Sequence, residues 1–387
     1  MSSVQTTLAA ETVTDPGPTE TSAEDLAVTR QWKLVWRAFV HHRLAVVSLV
    51  VLLLVYLVAI FAEFVAPYSP TQFNADYPYA PPQRIHLIDH TAGGTQVGLF
   101  VYGYRTKLDP VTLKSSFTVD RSNRIPLTFF ARSSQPYRMW GLFEGHRHLI
   151  GPRDGHSQVY LLGADRNGRD LLSRLIYGTR ISMSVGLIGV GLAFVLGLVL
   201  GGVSGYFGGR TDTLIQRVVE FFMSLPTLPL WMGLAAALPS GWGPLRRYFA
   251  ITIILAIMAW TSLARVTRGR FLSLREEQFV TAARLDGNRA GRVIFRHMLP
   301  SFTSYLIASL TLSIPGMILA ETSLSFLGLG LQEPVVSWGV LLEDAQNIRV
   351  VATAPWLMLP GVAVVIAVLA LNFVGDGLRD AADPYKR

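Results

Sequence analysis

His86 and His90 stand four residues apart, which would place two imidazoles on one helix face, and His146 and His148 alternate as strand residues do. Either pair has the donor type of a divalent-metal site, but a tight site adds carboxylates or thiolates to the imidazoles. No carboxylate pattern accompanies these four, and the chain contains no cysteine. That composition excludes disulfides, thiolate metal sites and cysteine nucleophiles, and no metal site is expected. Lys33, Lys107, Lys114 and Lys386 are the only lysines, and none follows a glycine. The phosphate-cradling loop that ends in Gly-Lys-Ser/Thr is therefore missing. Glu220 and Glu321 are the acidic residues nearest the long apolar runs. A carboxyl at membrane depth is a functional candidate by default. Both, however, lie near the ends of those runs, where interfacial solvation is the simpler expectation. No catalytic residue emerges from this survey.

The elements that would position these groups are set by composition. Half of the 387 residues are apolar, only 16% are charged, and the net charge is +8. A soluble chain of this length would hold two or three domains, but here several apolar runs reach bilayer length. The expected fold is an all-α polytopic membrane protein of six helices, over residues 44–65, 181–207, 218–238, 248–266, 302–324 and 356–374. At ~1.5 Å per residue each can cross a ~30 Å hydrocarbon core. Residues 1–29 carry five acidic and no basic side chains, and are expected to form a disordered cytoplasmic tail. They lack the basic start and early apolar core of a cleaved leader.

Residues 30–66 are expected to hold the first span and, before it, a basic surface helix. Trp32, Trp36, Phe39 and Val40 recur at helical spacing there, with Lys33, Arg37 and Arg43 supplying charge. A simple extension of the first span explains the pattern equally well. Residues 67–175 are expected to form an extracytoplasmic loop, too long to be structureless. Its β-rich runs at 95–102, 125–130 and 158–162 predict a small strand-containing subdomain over about 70–160. Its aromatic residues supply either a core or a surface for a partner. Residues 176–387 are the remaining five-helix unit, with a loop at 275–300.

That loop carries Arg275, Arg284, Arg289, Arg292 and Arg296, and Arg265, Arg268 and Arg270 precede it, whereas Arg349 is the one basic residue between the last two spans. Basic residues in short loops stay in the cytoplasm, so this loop and both termini are expected there. In the second span Gly189, Ala193, Gly197, Gly201, Gly205 and Gly209 repeat every four residues. Small residues at that spacing form one stripe and let helix backbones approach closely in lipid. Pro226 and Pro229 fall in the third span, Pro315 in the fifth and Pro360 at the start of the sixth. Each removes a backbone donor and is expected to kink its helix, as a gated path or plain packing would require.

Within 275–300, Phe279, Val280, Ala282, Ala283 and Leu285 give an apolar strip at helical spacing, and Gly287 is placed to end the helix. A second short helix over 289–298 leads to Leu299-Pro300. An apolar strip of this kind, projecting from the bilayer, is expected to dock into a partner.

Thr281-Ala-Ala-Arg-Leu-Asp-Gly287, followed by Leu299-Pro300, resembles the cytoplasmic EAA loop of permease subunits in binding-protein-dependent ABC importers. Ala282, Ala283, Gly287, Leu299 and Pro300 match that pattern. Thr281 stands where the family often has Glu, and His297 where it often has an aliphatic residue. The run from Leu162 to Ser182, Glu321-Thr-Ser-Leu-Ser-Phe-Leu-Gly-Leu-Gly330, Ser337-Trp-Gly339 and the ending Gly375 to Pro384 are similar to the dipeptide/oligopeptide permease C-type subunits.

The resemblance implies an importer subunit of the type I permease kind, with no catalytic site or cofactor of its own. ATP and Mg would be bound by two separate ATPase subunits that grip the 281–300 loop. A second homologous permease subunit, an extracytoplasmic binding protein and the lipid bilayer would be its other partners, and nucleic acid would not be one. The location implied is the bacterial inner membrane. Peptides are the substrate class of the subfamily, with nickel chelates, glutathione or another small solute as alternatives within the same architecture. A membrane metalloenzyme or a scaffold remains as a different class. Gly197, Gly201, Gly205, Pro226, Pro229 and Pro315 are the candidates for helix packing and gating; substrate-binding residues are not legible.

Overall fold

The computed structural model describes residues 35–91, 94–108, 115–239 and 241–382. The expected tail at 1–29, Trp32 and Lys33 lie outside the described residues. Residues 35–41 are helical, and the stacked pair Trp36–Phe39 splits between surface and core, with Phe39 buried. His42 interrupts the helix, and its Nδ1 accepts from the Ala45 N–H at 3.2 Å, opening α1 (Arg43–Ile60). The segment before the first span is thus a separate helical turn rather than an extension of it.

α1 stops at Phe61, and a short turn, Ala62–Val65, completes the expected first span. α2 (Leu171–Phe207) is 37 residues long and starts well before the expected boundary. Asp170 explains the early start, because its carboxylate accepts from the Ser173 N–H at 2.8 Å and so caps the helix. At ~1.5 Å per residue α2 is about 55 Å long, enough to project beyond the bilayer.

The expected third span is two helices, α3 (Gly209–Ser224) and α4 (Thr227–Ala236), bent by 86°. Pro226 forbids helical geometry at the residue before it, and Leu225 is accordingly extended (φ −83°, ψ 136°). α5 (Pro244–Leu274), α7 (Thr303–Phe326) and α9 (Leu359–Ala382) supply the remaining spans. Five described helices are long and apolar enough to cross a membrane, and the bent pair makes six if counted as one span. The three expected proline breaks are not alike. Pro315 lies inside an α7 that runs helical on both sides of it, and Pro360 sits in the first turn of α9, where a missing N–H costs nothing.

α2 is the central helix, packed along α5 and also touching α7 and α1, while α9 covers α1 and α7. Between α1 and α2 lies an antiparallel meander of β1 (His86–Thr91), β2 (Gly94–Leu108), β3 (Ser115–Met139) and β4 (Phe143–Pro152). β3 serves two partners: Ser115 to Pro126 pairs with β2, and Leu127 to Met139 pairs with β4. Runs 95–102 and 125–130 fall in these strands as expected, but 158–162 is not a strand. Its backbone bonds to side chains instead: the Tyr160 N–H donates to Gln83 Oε1 at 2.7 Å and the Val159 N–H to Tyr68 Oη at 2.9 Å. Nor does any helix carry His86, which lies on β1 with its ring stacked on Phe100. His148 is buried, and its Nδ1 lies 3.0 Å from the Glu63 carbonyl.

Candidate functional site

The segment 275–302 folds as the expected hairpin of two short helices. α6 (Gln278–Leu285) is followed by Gly287 at φ +74°. The Asn288 N–H donates to the Ala283 carbonyl at 3.4 Å and the Gly287 N–H to the Arg284 carbonyl at 3.0 Å. This paired closure of a helix end needs left-handed geometry at the glycine. The second, returning helix of the hairpin runs Ala290–Arg292 and then a π-helical turn, Val293–Met298.

The apolar strip is divided rather than wholly free. Val280, Ala283, Val293 and Met298 are at most 4% exposed and form one cluster with Phe271 of α5 and Phe302 and Leu306 of the α7 end. Phe279, Leu285 and Phe295 point outward, Leu285 at 83% exposure. Thr281, Ala282 and Pro300 are exposed as well, and Leu299 is half-buried. A helical strip is read from spacing, but its two edges diverge by most of a half-turn, so one edge anchors while the other is presented. The Arg284 guanidinium lies 4.7 Å from the Tyr206 ring centre, tying the hairpin to the end of α2.

The glycine stripe carries that anchoring up the bundle. A methyl group built on Gly197, Gly201 or Gly205 would collide with the carbonyls of Trp260, Ala264 and Arg268 respectively. Two helices therefore run in backbone contact, in step every four residues. Gly189 instead faces the Met317 side chain of α7, 3.0 Å from its would-be methyl. Gly209 is outside the stripe: it opens α3 at φ +57°, and nothing lies within 4 Å of its would-be methyl. Where α2 and α5 end, Asp212 accepts from Arg268 Nε and Nη2 at 2.5 and 2.6 Å.

Glu321 is not solvated at an interface. It is fully buried on α7, accepting from Ser325 Oγ at 2.8 Å and, across the helix boundary, from Ser182 Oγ of α2 at 3.3 Å. Ser182 Oγ in turn accepts from the Trp338 N–H at the start of α8 (Trp338–Glu343), at 3.0 Å. Three elements meet at this one carboxyl. Glu220, in contrast, is exposed and pairs with Arg217 at 2.8 Å.

The opposite end of α2 holds a charge cluster that spacing alone did not reveal. Arg169 grips Glu333 with two nitrogens at 2.6 and 3.0 Å and Asp165 with its Nε at 2.7 Å. Arg174, buried, bridges the same two carboxylates. Burial would raise the Glu333 carboxyl, but hydrogen bonds from Arg169 and Arg174 and their charge hold it down at about 2. Burial pushes Asp170 up to about 6 despite its bonds from Ser173. Spacing gave no signal for it: Asp165 and Arg169 precede the helix that carries Arg174, and their common partner Glu333 is 159 residues beyond Arg174.

Between α2, α4, α5 and α7, midway along the three longer helices, lies a cavity of about 360 Å³, lined mainly by apolar side chains, with the hydroxyls of Thr227, Ser262 and Ser313. Among the described residues no cluster of three or more His, Asp or Glu side chains has the geometry of a metal site.

Comparison with known proteins places this arrangement. The profile of the binding-protein-dependent transport system inner membrane component matches residues 194–387, and that of the N-terminal TM domain of oligopeptide transport permease C matches residues 30–82. The oligopeptide transport system permease protein OppC of Haemophilus influenzae is 40% identical over 230 residues, covering 59% of this chain and 71% of that one. The dipeptide transport system permease protein DppC of Alkalihalophilus pseudofirmus is 38% identical over 231 residues, covering 59% and 73%. A solved inward-facing structure of the MetNI methionine ABC transporter aligns over 54% of this chain and 96% of that one, with a TM-score of 0.43 and 18% identity.

Proposed function

The chain belongs to the family of binding-protein-dependent transport system inner membrane components, and from that premise we propose that it is the subunit through which di- or oligopeptides enter the cell. It is a multi-pass permease subunit of an ABC importer. The peptide class follows from the relatives whose names specify oligopeptide and dipeptide transport. In this reading both termini and the 275–302 hairpin face the cytoplasm. Two ATPase subunits bind ATP and Mg and receive the hairpin, a second permease subunit completes the path, and an extracytoplasmic binding protein delivers the peptide.

The observation that carries the reading is the divided hairpin. Val280, Ala283, Val293 and Met298 fix it to α5 and α7, while Phe279, Leu285 and Phe295 stand free on its other side. A part built this way transmits force, because a partner that displaces the exposed edge must displace the two helices beneath it. The backbone contact of α2 with α5 then carries the displacement along the bundle toward the cavity between α2, α4, α5 and α7, where a path has room. Alternating access needs two packings that ATP binding weights differently, and no covalent step in this chain.

The test is Leu285→Glu and Phe295→Glu in the assembled importer. Both sites are exposed, so insertion and folding should persist, while co-purification of the ATPase subunits or peptide-stimulated hydrolysis falls at least tenfold, the effect of roughly 1.4 kcal/mol at a desolvated contact. Unchanged assembly and unchanged stimulation in both variants would remove the docking role. Uptake of labelled peptide by the unaltered importer, competed by unlabelled peptide and not by glutathione or nickel chelate, tests the substrate class.

A further inference from the structure

The β3–β4 hairpin ends in a three-residue tip, Trp140-Gly141-Leu142, that is fastened to the outer end of α1. The Trp140 indole N–H donates to the Ile60 carbonyl at 2.9 Å, and its ring lies 6.1 Å from that of Phe61. Phe130 of β3 sits against Phe64, ring centres 6.0 Å apart. Arg180 of α2 completes the joint, donating to the Ala59 carbonyl at 2.8 Å and pairing with Glu63 at 2.5 Å.

Phe64 is half-buried at this joint, but the other large apolar side chains around the tip are bare. Leu142 is 76% exposed and Phe143 62%, with Phe129, Phe130 and Trp140 close to them in exposure. Phe130 and Trp140 hold left-handed backbone, φ +54° and +52°. That geometry costs an L residue roughly 1–2 kcal/mol, and here it turns two rings outward. In water such a patch is a liability. Its position removes the liability. α1 has 18 residues, about 27 Å at ~1.5 Å per residue, which nearly matches a hydrocarbon core of ~30 Å. Ile60 therefore marks the bilayer boundary, and the tip is held at that depth. Leu53, Leu57 and Ile60, at helical spacing along α1 up to the residue that holds the Trp140 indole, are exposed as well.

We propose that the Trp140–Phe143 tip, with Phe130 and Phe61, is a membrane-surface anchor that seats the extracytoplasmic subdomain in the headgroup region of the outer leaflet. Tryptophan with one wet and one apolar edge is the side chain favoured at that depth. Arg147 beside it is exposed and suits the phosphate headgroups of the same lipids, while Arg138, also exposed, pairs with Glu144 at 3.2 Å. The proposal rests on the membrane placement of α1 and adds a second lipid contact outside the spans. It fixes the angle at which the subdomain stands over the path.

The chain has no cysteine, so single cysteines report one position each. Leu142→Cys, Phe143→Cys, Leu53→Cys and Arg121→Cys are labelled with an environment-sensitive fluorophore in the full chain. Each is then placed in nanodiscs of phosphatidylethanolamine and phosphatidylglycerol, with and without spin-labelled lipid. The expected result is blue-shifted emission and lipid quenching at 142 and 143, with iodide quenching several-fold weaker than at 121, an exposed position in the other half of β3. Equal iodide quenching at 142, 143 and 121, with no lipid quenching at 142 or 143, overturns the anchor. Shielding of 142 and 143 that requires added binding protein or second permease reassigns the surface to that partner and overturns it too. Failure of lipid to quench 53 would instead overturn the placement of α1, which separates the two ideas.

Discussion

Gly201 of α2 lies so close to Ala264 of α5 that a methyl group on Gly201 would sit 2.9 Å from the Ala264 Cα and nearer still to its carbonyl oxygen. The atom opposite is backbone, which has no rotamer to change. Gly201→Ala should therefore force the two helices apart and destabilise the protein by about 1–3 kcal/mol, the usual range for overpacking. Gly191, on the same helix, has nothing within 4 Å of its would-be methyl, so Gly191→Ala should be neutral or slightly stabilising, by up to ~1 kcal/mol. Thermal melts followed by tryptophan fluorescence in detergent distinguish them. Equal melting temperatures for the two variants would show that the stripe is not a contact.

Glu321 offers a second comparison. Replacing it with Ala strips the acceptor from Ser182 and Ser325 and leaves a void where α2, α7 and α8 meet. A loss of roughly 2–4 kcal/mol is expected from the unmet hydroxyls and the cavity together. Glu321→Gln keeps the volume and one carbonyl acceptor, and should lose less than half as much. A melt in which Ala and Gln fall together would mean that the side chain's shape and acceptor are not what joins the three elements.

The charge cluster makes a pH prediction with opposite signs in two windows. Glu333 is held at about 2 against an ordinary 4.5. A carboxyl lowered by folding gives stability that is complete above 4.5 and is lost as pH falls toward about 2. Asp170 is raised to about 6 from 3.8, so its charge costs stability as pH rises through that interval. Glu333→Gln should lower stability at neutral pH by roughly 1–3 kcal/mol, discounting for a side chain 35% exposed, and should flatten the acid limb. Asp170→Asn keeps an oxygen for the Ser173 N–H and should raise stability above pH 6 relative to pH 4. Acid limbs that run parallel for Glu333→Gln and the unaltered chain would refute the first assignment. An unaltered slope between pH 4 and 6 in Asp170→Asn would refute the second.

What could be read in the sequence was what depends on local spacing. The glycines every fourth residue were legible because periodicity fixes a face, and Gly201 and Gly205 meet α5 as a stripe of small residues should. The end of α6 at Gly287 was legible because few residues other than glycine accept its geometry. The bend at Pro226 was partly legible: proline marks a break but does not give its angle, which depends on where α4 packs. The burial of Glu321 was not legible, because Ser182 lies on another helix and distance from a span end says nothing of it. The Asp165–Arg169–Arg174–Glu333 cluster was invisible for the same reason. The run 158–162 looked like a strand because its composition is that of buried backbone. Val159 and Tyr160 are buried, but Tyr68 and Gln83 satisfy their N–H groups rather than a neighbouring strand.

Gly287 separates coupling from folding most cleanly. Its φ of +74° is left-handed, yet no atom lies within 4 Å of a methyl built on it. A side chain there meets no neighbour, and only the backbone objects. Valine, branched at Cβ, is disfavoured in that region by more than the ~1–2 kcal/mol of an ordinary L residue. Asparagine tolerates it. Gly287→Val should therefore open the turn and rotate α6 against 289–298, displacing Leu285 relative to Phe295. The helices beneath keep their own contacts through Phe271 and Phe302. The expected outcome is a melting temperature close to the unaltered protein's, normal insertion, and peptide-stimulated ATP hydrolysis reduced tenfold or more, about 1.4 kcal/mol. Gly287→Asn should retain most of that stimulation. Full stimulation in Gly287→Val would mean that the hairpin's shape does not carry the signal, and equal loss in Val and Asn would place the requirement on the missing side chain rather than on the backbone.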